Sequence, residues 1–293
     1  MLHLNVASIS LHLNDLKILL SILDHPFDII ALSETKILNN CEPLDNIFIE
    51  GYKYEHTPTK TEKGGVCIFY KDRFNFKRRD DLSKSIENIA ESVFLEFQSP
   101  NKKNVLIGCI YRHPNSISEF VRNFFENLLV QISQEKNKKC AILGDLNINL
   151  LDIENDEKSF DFYTTLTAFG FRPLILQPTR VQTTSRSTSA TLIDNIFVND
   201  IENTCTGGNI TTHISDHFPQ FCFIPNFLVI SQTTKNSQKY GRSFKNFSQN
   251  EFNNEIKNVN WELHFHNKNS DQCLNFLITK IDLLLDEMAP IKV

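Results

Sequence analysis

Apolar runs of four to eight residues recur between residues 2 and 224, and their length narrows the choice of architecture. LHLNV (2–6), DIIALS (28–33), GVCIFY (65–70), SVFLEF (92–97), VLIGCIY (105–111), CAILG (140–144), TLIDNIFV (191–198) and FCFI (221–224) each suit a strand. None is long enough to span a bilayer, and no signal peptide precedes them. Helical periodicity interrupts them in few places. DLKILLSIL (15–23) sets Leu16, Leu19, Leu20 and Leu23 on one stripe, with Asn14 or Asp15 as cap. SISEFVRNFFENLLVQIS (116–133) opens on a Ser116/Glu119 capping box and carries Phe120, Phe124, Leu128 and Ile132 at helical spacing. SFDFYTTLTAFG (159–170) ends in Gly170, which suits a C-cap. A wound parallel sheet needs a helix after nearly every strand, so this pattern predicts an α/β sandwich: two packed sheets flanked by helices.

After Ile224 the composition changes. Residues 231–255 are rich in Asn, Ser, Gln and Lys, like a linker, and 270–290 reads as an amphipathic helix stopped by Pro290. Its expected stripe is Leu274, Ile278, Ile281, Leu285 and Met288, a face that would pack back on the chain, dock on a partner domain or self-associate. Two domains are therefore expected, 1–224 and 225–293. A hydrophobic fraction of 41% supports a sizeable core. The net charge of −5 argues against gripping nucleic acid over the whole surface, though KDRFNFKRR (71–79) and the stretch 172–186 leave room for a local basic groove or a solvated face. Seven irregularly spaced cysteines with no CxxC pair predict reduced, mostly buried thiols in a nuclear or cytoplasmic protein.

Acids follow the apolar runs with some regularity. DIIALSE reaches Glu34, CAILGDLN reaches Asp145 with Asn147 two residues on, and SATLID reaches Asp194. HISDHFPQF (213–221) places Asp216 and His217 just before a strand, and LHLNV carries Asn5. Taken singly, each is a cap or turn residue. Together they predict a shared edge where two sheets deliver acids to one cleft. Crowded carboxylates raise one another's pKa unless a cation neutralises them. With no Cys/His cluster of zinc spacing, Mg2+ is favoured, with Mn2+ possible. Phosphodiester hydrolysis is the chemistry that uses such a set: a metal stabilises charge, an Asp activates water, and a His held by a buried Asp faces phosphate.

LHLNV, ALSETK, GCIYRHP, ILGDLNINL, TLIDNIFVN and ISDHFP, in that order over residues 1–224, resemble the endonuclease/exonuclease/phosphatase superfamily. Within it, the wording is similar to the apurinic-type endonuclease domain of non-LTR (LINE-type) retrotransposons. The resemblance implies a DNase-I-like, four-layered α/β sandwich. It implies Glu34 as main metal ligand with Asn5 nearby and Asp216 in the metal or acid–base set. Asp145 would deprotonate or orient water, Asn147 and Tyr111 would contact phosphate, and Asp194 would pair with His217. Arg112, Thr179 and Arg180 would contact DNA. Ala7 replaces a commoner polar residue, which implies weaker metal binding, and His113 replaces a commoner Pro. RSFKNFSQNEFNNEIKNVNW resembles the connector to a reverse transcriptase, although no YxDD motif follows before Val293. With the first strand opening at residue 2, no upstream segment is expected to cover its edge.

The implied activity is a Mg2+-dependent endonuclease that nicks double-stranded DNA and leaves a 3′-hydroxyl for target-primed reverse transcription. Another phosphodiesterase or phosphatase of the superfamily, or an inactive remnant serving as a binding module, are the alternatives. A reverse transcriptase domain is the expected protein partner, and no membrane is expected.

Overall fold

The computed structural model describes residues 1–38, 47–61, 63–98, 104–135, 138–183, 187–199, 204–225, 241–245 and 247–292. Its chain runs through β1 (Leu2–Asn5), α1 (Ile9–Leu23), β2 (Ile29–Ser33), β3 (Tyr52–Thr57) and β4 (Val66–Lys71). It then crosses to a second sheet with β5 (Phe76–Arg78), β6 (Ser85–Ile86), β7 (Ala90–Phe97), β8 (Val105–Arg112) and β9 (Lys139–Asp145). A helix at Glu157–Ala168 leads to β10 (Arg172–Pro173), to the hairpin strands β11 (Arg180–Thr183) and β12 (Thr188–Thr191), and to β13 (Asp194–Val198). The return to the first sheet is by β14 (Thr206–Asn209) and β15 (Gln220–Phe223). Spatial order is β14-β15-β1-β2-β4-β3 in the first sheet and β10-β13-β9-β8-β7-β5 in the second, with β6 beside β7.

The apolar runs are explained by burial on both faces, in layers of helix, sheet, sheet and helix. In β2, Ile30 and Leu32 pack with α1 residues Ile9, Leu13 and Leu16, while Ile29 and Ala31 point the other way, into the space between the sheets. The second sheet repeats the arrangement. Ile107, Cys109, Leu143 and Ile196 face the first sheet, and Leu106, Ile110 and Ile142 pack on Phe120, Phe125, Phe162 and Leu166 of the outer helices. Side chains alternate with a period of two along a strand. Extending that period puts Asn5 and Ser33 of the first sheet, and Glu91, Tyr111, Asp145 and Asp194 of the second, on the faces turned toward each other.

Gly144, one residue before Asp145, lies against β8 so closely that a Cβ there would come 1.9 Å from the Ile110 carbonyl oxygen. The parallel pairing of β8 with β9 depends on that missing side chain.

Some local expectations change. The first helix begins at Ile9 rather than near Asp15, since Leu13 and Ile9 are needed to cover the first sheet. No capping box forms at Ser116, whose hydroxyl instead donates to the carbonyls of His113 and Ile89. The helical segment 117–134 contains a π-helical stretch at Phe120–Phe125 that buries Phe120, Val121, Phe124 and Phe125 together. The run 191–198 is two pieces, because Leu192 and Ile193 break it and β13 opens on Asp194.

By contacts the chain divides into two compact units, 1–231 and 232–293. The second is helical, with helices at Gln249–Asn258, Trp261–Phe265 and Ser270–Met288. Asn269 and Gln272 form a reciprocal capping box on the last helix. Phe276 stacks on His264 with centroids 4.3 Å apart and meets Trp261 edge-on. The inward face is therefore offset from the expected stripe: Leu284 is buried, whereas Leu274 and Ile278 are about half exposed.

Candidate active site

Four side chains stand in one row across the second sheet. Asp194 is opposite Asp145, Asp145 opposite Tyr111, and Tyr111 opposite Glu91. Residues directly opposite in neighbouring strands share a face, so the row points at the first sheet. Asp194 opens its strand while Asp145 closes one, and antiparallel pairing brings that start beside that end. From the other side, β1 ends at Asn5, β2 ends at Ser33 with Glu34 next, and His217 precedes β15. Ser215 fastens these together: its hydroxyl donates to the Asn5 carbonyl (2.7 Å) and accepts the His217 N–H.

His217 Nδ1 lies 2.8 Å from Asp194 Oδ2 and 4.0 Å from Asp145 Oδ2, and its Nε2 is 3.8 Å from Asp216 Oδ1. Burial opposes charge on the imidazole, but the charge and hydrogen bond of Asp194, helped by Asp145 and Asp216, lift its pKa to about 9. Asp145 moves the other way in function. Burial, and next the charge of Asp194, push its carboxyl up to about 7, against the pull of His217 and of the Asn147 and Asn5 donors. A carboxylate that takes a proton near neutral pH and an imidazole that keeps one are matched as base and acid.

Hydrogen bonds fix the remainder. Asn5 Nδ2 donates to Asp145 Oδ2 (2.8 Å), and Asn5 Oδ1 accepts the Ala7 N–H. The Asn147 N–H donates to Asp145 Oδ1 (2.9 Å). The Tyr111 hydroxyl donates to Glu34 Oε1 (3.0 Å), and burial, followed by the charges of Glu34 and Asp145, raises its pKa far above the usual phenol value. Ala7, Glu34 and Asn147 all have left-handed backbone, with φ of 54°, 54° and 50°. Strained backbone of this kind concentrates at functional sites.

The sequence matches the endonuclease/exonuclease/phosphatase family over residues 2–217, which takes in this whole constellation. The chain belongs to that family. Endonuclease/exonuclease/phosphatase proteins are metal-dependent phosphodiesterases, and solved members share the present fold. The endonuclease domain of TRAS1, a telomere-specific non-LTR retrotransposon, superposes with a TM-score of 0.58 at 15% identity, over 76% of this chain and 97% of that one. The catalytic domain of APE2 from Xenopus laevis gives 0.56 at 20% identity, over 76% and 90%. The 3′ phosphatase NExo from Neisseria, bound to product DNA hairpin, gives 0.54 at 17%, over 75% and 96%. At these identities the likeness is one of fold. No curated protein matches the sequence.

A family metal fits the residues present. Asp145 and Asp194, clustered with His217 within 4.8 Å, offer carboxylate oxygens, and Asp194 Oδ1 is buried with no hydrogen-bond partner among the described residues, while His217, charged and bonded to Asp194, adds no ligand. Glu34, bonded to Tyr111 beside Asp145 in the strand row, adds a further carboxylate, and such an oxygen-rich set suits a hard cation.

The structure reassigns several expected contacts. Arg112 is fully buried, and its guanidinium donates to the carbonyls of Leu146, His113 (2.6 Å), Pro114 (3.1 Å) and Asn147 (2.6 Å). It holds the loop that carries Asn147 and has no surface for DNA. Thr179 is also fully buried, and its hydroxyl donates to Asp194 Oδ2 at 2.7 Å, so it orients the acid rather than reaching a duplex. Arg180 does lie at the surface, paired at 2.6 Å with Asp216. Asp216, also bonded by Gln182, makes its contacts with His217 and Arg180 and is not among the clustered ligand atoms. The arginines at 73, 78 and 79 each pair with acids, which leaves the 71–79 stretch an ion-pair network rather than a free basic groove. Two residues escaped sequence reasoning. His3 sits in the interior bonded to Gln220 and Ser33, and Glu91 interrupts an apolar strand. An acid or imidazole placed where a strand alternates inward was the available signal.

Five of the six described cysteines are buried; Cys41 and Arg186 lie outside the described residues. Among the described residues no helix is long and apolar enough to cross a membrane.

Proposed function

We propose that this chain is a Mg2+-dependent DNA endonuclease that nicks one strand and leaves a 3′-hydroxyl from which reverse transcription is primed. The observation that carries the reading is the buried Asp194–His217 pair beside Asp145, with Glu34 and Tyr111 facing it. Glu34 would hold the cation with Asn5 close by, and Mn2+ would substitute. When bound, the cation supplies positive charge for the phosphate and the leaving oxygen. Asp145 accepts the proton of the attacking water. His217, kept charged and aimed by Asp194, donates to the phosphate, and Tyr111 and Asn147 bind its oxygens. Arg180 on the exposed β11–β12 hairpin contacts the DNA backbone. The likeness to a retrotransposon endonuclease fold, and to a fold seen with DNA product, supports DNA as substrate. The unit at 232–293 would be the connector to a reverse transcriptase, and the reduced thiols suit a nuclear or cytoplasmic setting.

Supercoiled plasmid with Mg2+ tests this. Wild type is expected to yield open circles whose nicks a DNA polymerase extends without prior end treatment. No relaxation by wild type, or undiminished relaxation by Asp145→Ala, would overturn it.

A further inference from the structure

Glu91 is the member of the strand row that the proposed chemistry leaves without a task. It is 1% exposed, directly opposite Tyr111. A buried carboxylate is costly unless its hydrogen bonds are used, which makes its partners informative. Oε1 lies 3.0 Å from the Thr59 hydroxyl, which shares its proton with the Lys63 carbonyl at 2.7 Å, and 3.1 Å from His113 Nε2. The His113 ring in turn stands edge-on to the Tyr111 ring, with centroids 5.2 Å apart. Over the other oxygen lies Gly64, so close that a Cβ there would meet Oε2 at 2.6 Å.

Thr59 and Gly64 belong to the segment that holds Glu34. The carbonyls of Gly64 and Gly65 accept the N–H groups of Lys36 (2.9 Å) and Thr35 (3.1 Å), the two residues after Glu34. The Thr59 N–H donates to the Ile37 carbonyl at 2.8 Å. Glu34 and Lys36 both have left-handed backbone, at φ of 54° and 57°, a conformation that surrounding bonds must impose. One carboxylate thus touches both sides of the Tyr111–Glu34 contact: Tyr111 through His113, and Glu34 through Thr59, with Oε2 packed under Gly64 and making no hydrogen bond among the described residues.

We infer that Glu91 is a positioning residue, a buried clamp that sets the Glu34–Tyr111 half of the site from beneath the sheet surface. Its catalytic consequence rests on the phosphodiesterase reading above; its mechanical consequence does not. Glu91→Ala removes an acceptor from Thr59 and His113, and Glu91→Gln keeps an acceptor oxygen for both.

Amide hydrogen exchange and steady-state nicking test the clamp together. In Glu91→Ala the Thr35 and Lys36 amides are expected to exchange at least about tenfold faster while the β8 and β9 amides keep their protection. Nicking at saturating DNA is expected to fall roughly 10- to 100-fold, with the half-saturating DNA concentration within about twofold of wild type. Glu91→Gln is expected to restore both to within about threefold. Unchanged exchange at Thr35 and Lys36, or Glu91→Gln as slow as Glu91→Ala, overturns the clamp. Should Glu91→Ala fail to fold, Thr59→Val, which removes one arm of the grip, is read against the same criteria. If wild type cuts no DNA, the nuclease reading falls and the exchange measurement alone decides the clamp.

Discussion

Asp194 and His217 meet through a direct bond between two buried groups, whereas buried Tyr111 meets a part-buried Glu34 on left-handed backbone just beyond its strand. The first pair inherits its geometry from strand register. Asp194 is locked opposite Asp145, and Thr179 holds the acid from behind. The second pair inherits its geometry from a loop, through the Gly64 and Gly65 carbonyls and Glu91. A site half built on sheet is stiff and tuned for proton transfer. A site half built on loop can be adjusted, and in the proposed reaction that half faces the cation.

Asp194→Asn should therefore have the largest effect, a fall in nicking rate of roughly 10²- to 10⁴-fold with the fold retained, because His217 loses both its orientation and its raised pKa. A loss under about tenfold, in single-turnover nicking, would remove the distinction between the halves. Glu34→Gln should cost roughly 10- to 100-fold and, unlike Asp194→Asn, should raise the Mg2+ concentration for half-maximal rate. Equal metal dependence in the two variants would break the comparison. Tyr111→Phe removes one hydroxyl from Glu34 and should slow nicking by about tenfold, the value of a single hydrogen bond in a buried site.

The pH profile sharpens the same contrast. In the proposed reaction Asp145 must lose its proton to act as base, and His217 must keep its own. Nicking should rise as pH passes about 7 and fall as it passes about 9. Asp194→Asn should move both limbs to lower pH, because the charge of Asp194 raises the pKa of Asp145 as well as that of His217. The smallest effect belongs to His3, whose pKa burial lowers from the ordinary 6.5. Folded His3 stays neutral where the unfolded chain takes up a proton, so its contribution is complete above pH 6.5 and is lost as pH falls below it. His217 has the opposite sign: its contribution is complete below 6.5 and is lost as pH rises through about 9. Urea denaturation across this range, comparing wild type with His3→Gln, should show a flatter acid side in the variant.

Much of this was readable in the chain. An apolar run must be buried, so an acid at its end lies at a sheet edge, and Glu34 and Asp145 follow from that alone. Which edges coincide depends on register between strands far apart in sequence, and no local pattern carries it. Asp194 shows the difficulty: it reads as the end of one run and is the start of another strand, placed correctly only because β13 is antiparallel to β9. Arg112 reads as a surface cation because its partners are carbonyls of its own turn and of a loop 34 and 35 residues away. The last helix presents Leu274 and Ile278 outward because Phe276, with the aromatic rings of the neighbouring helix, defines the inner side.

Gly144 bears no functional group, yet the pair of strands it joins delivers Tyr111 and Asp145 side by side. Any larger residue would wedge against the Ile110 carbonyl and spread the two strands at the point where water must be activated. A single methyl group at 144 would then silence the enzyme without touching a ligand, a base or an acid. Copies of such a gene that have drifted out of service could be recognised by that change alone, with every reactive side chain still in its place.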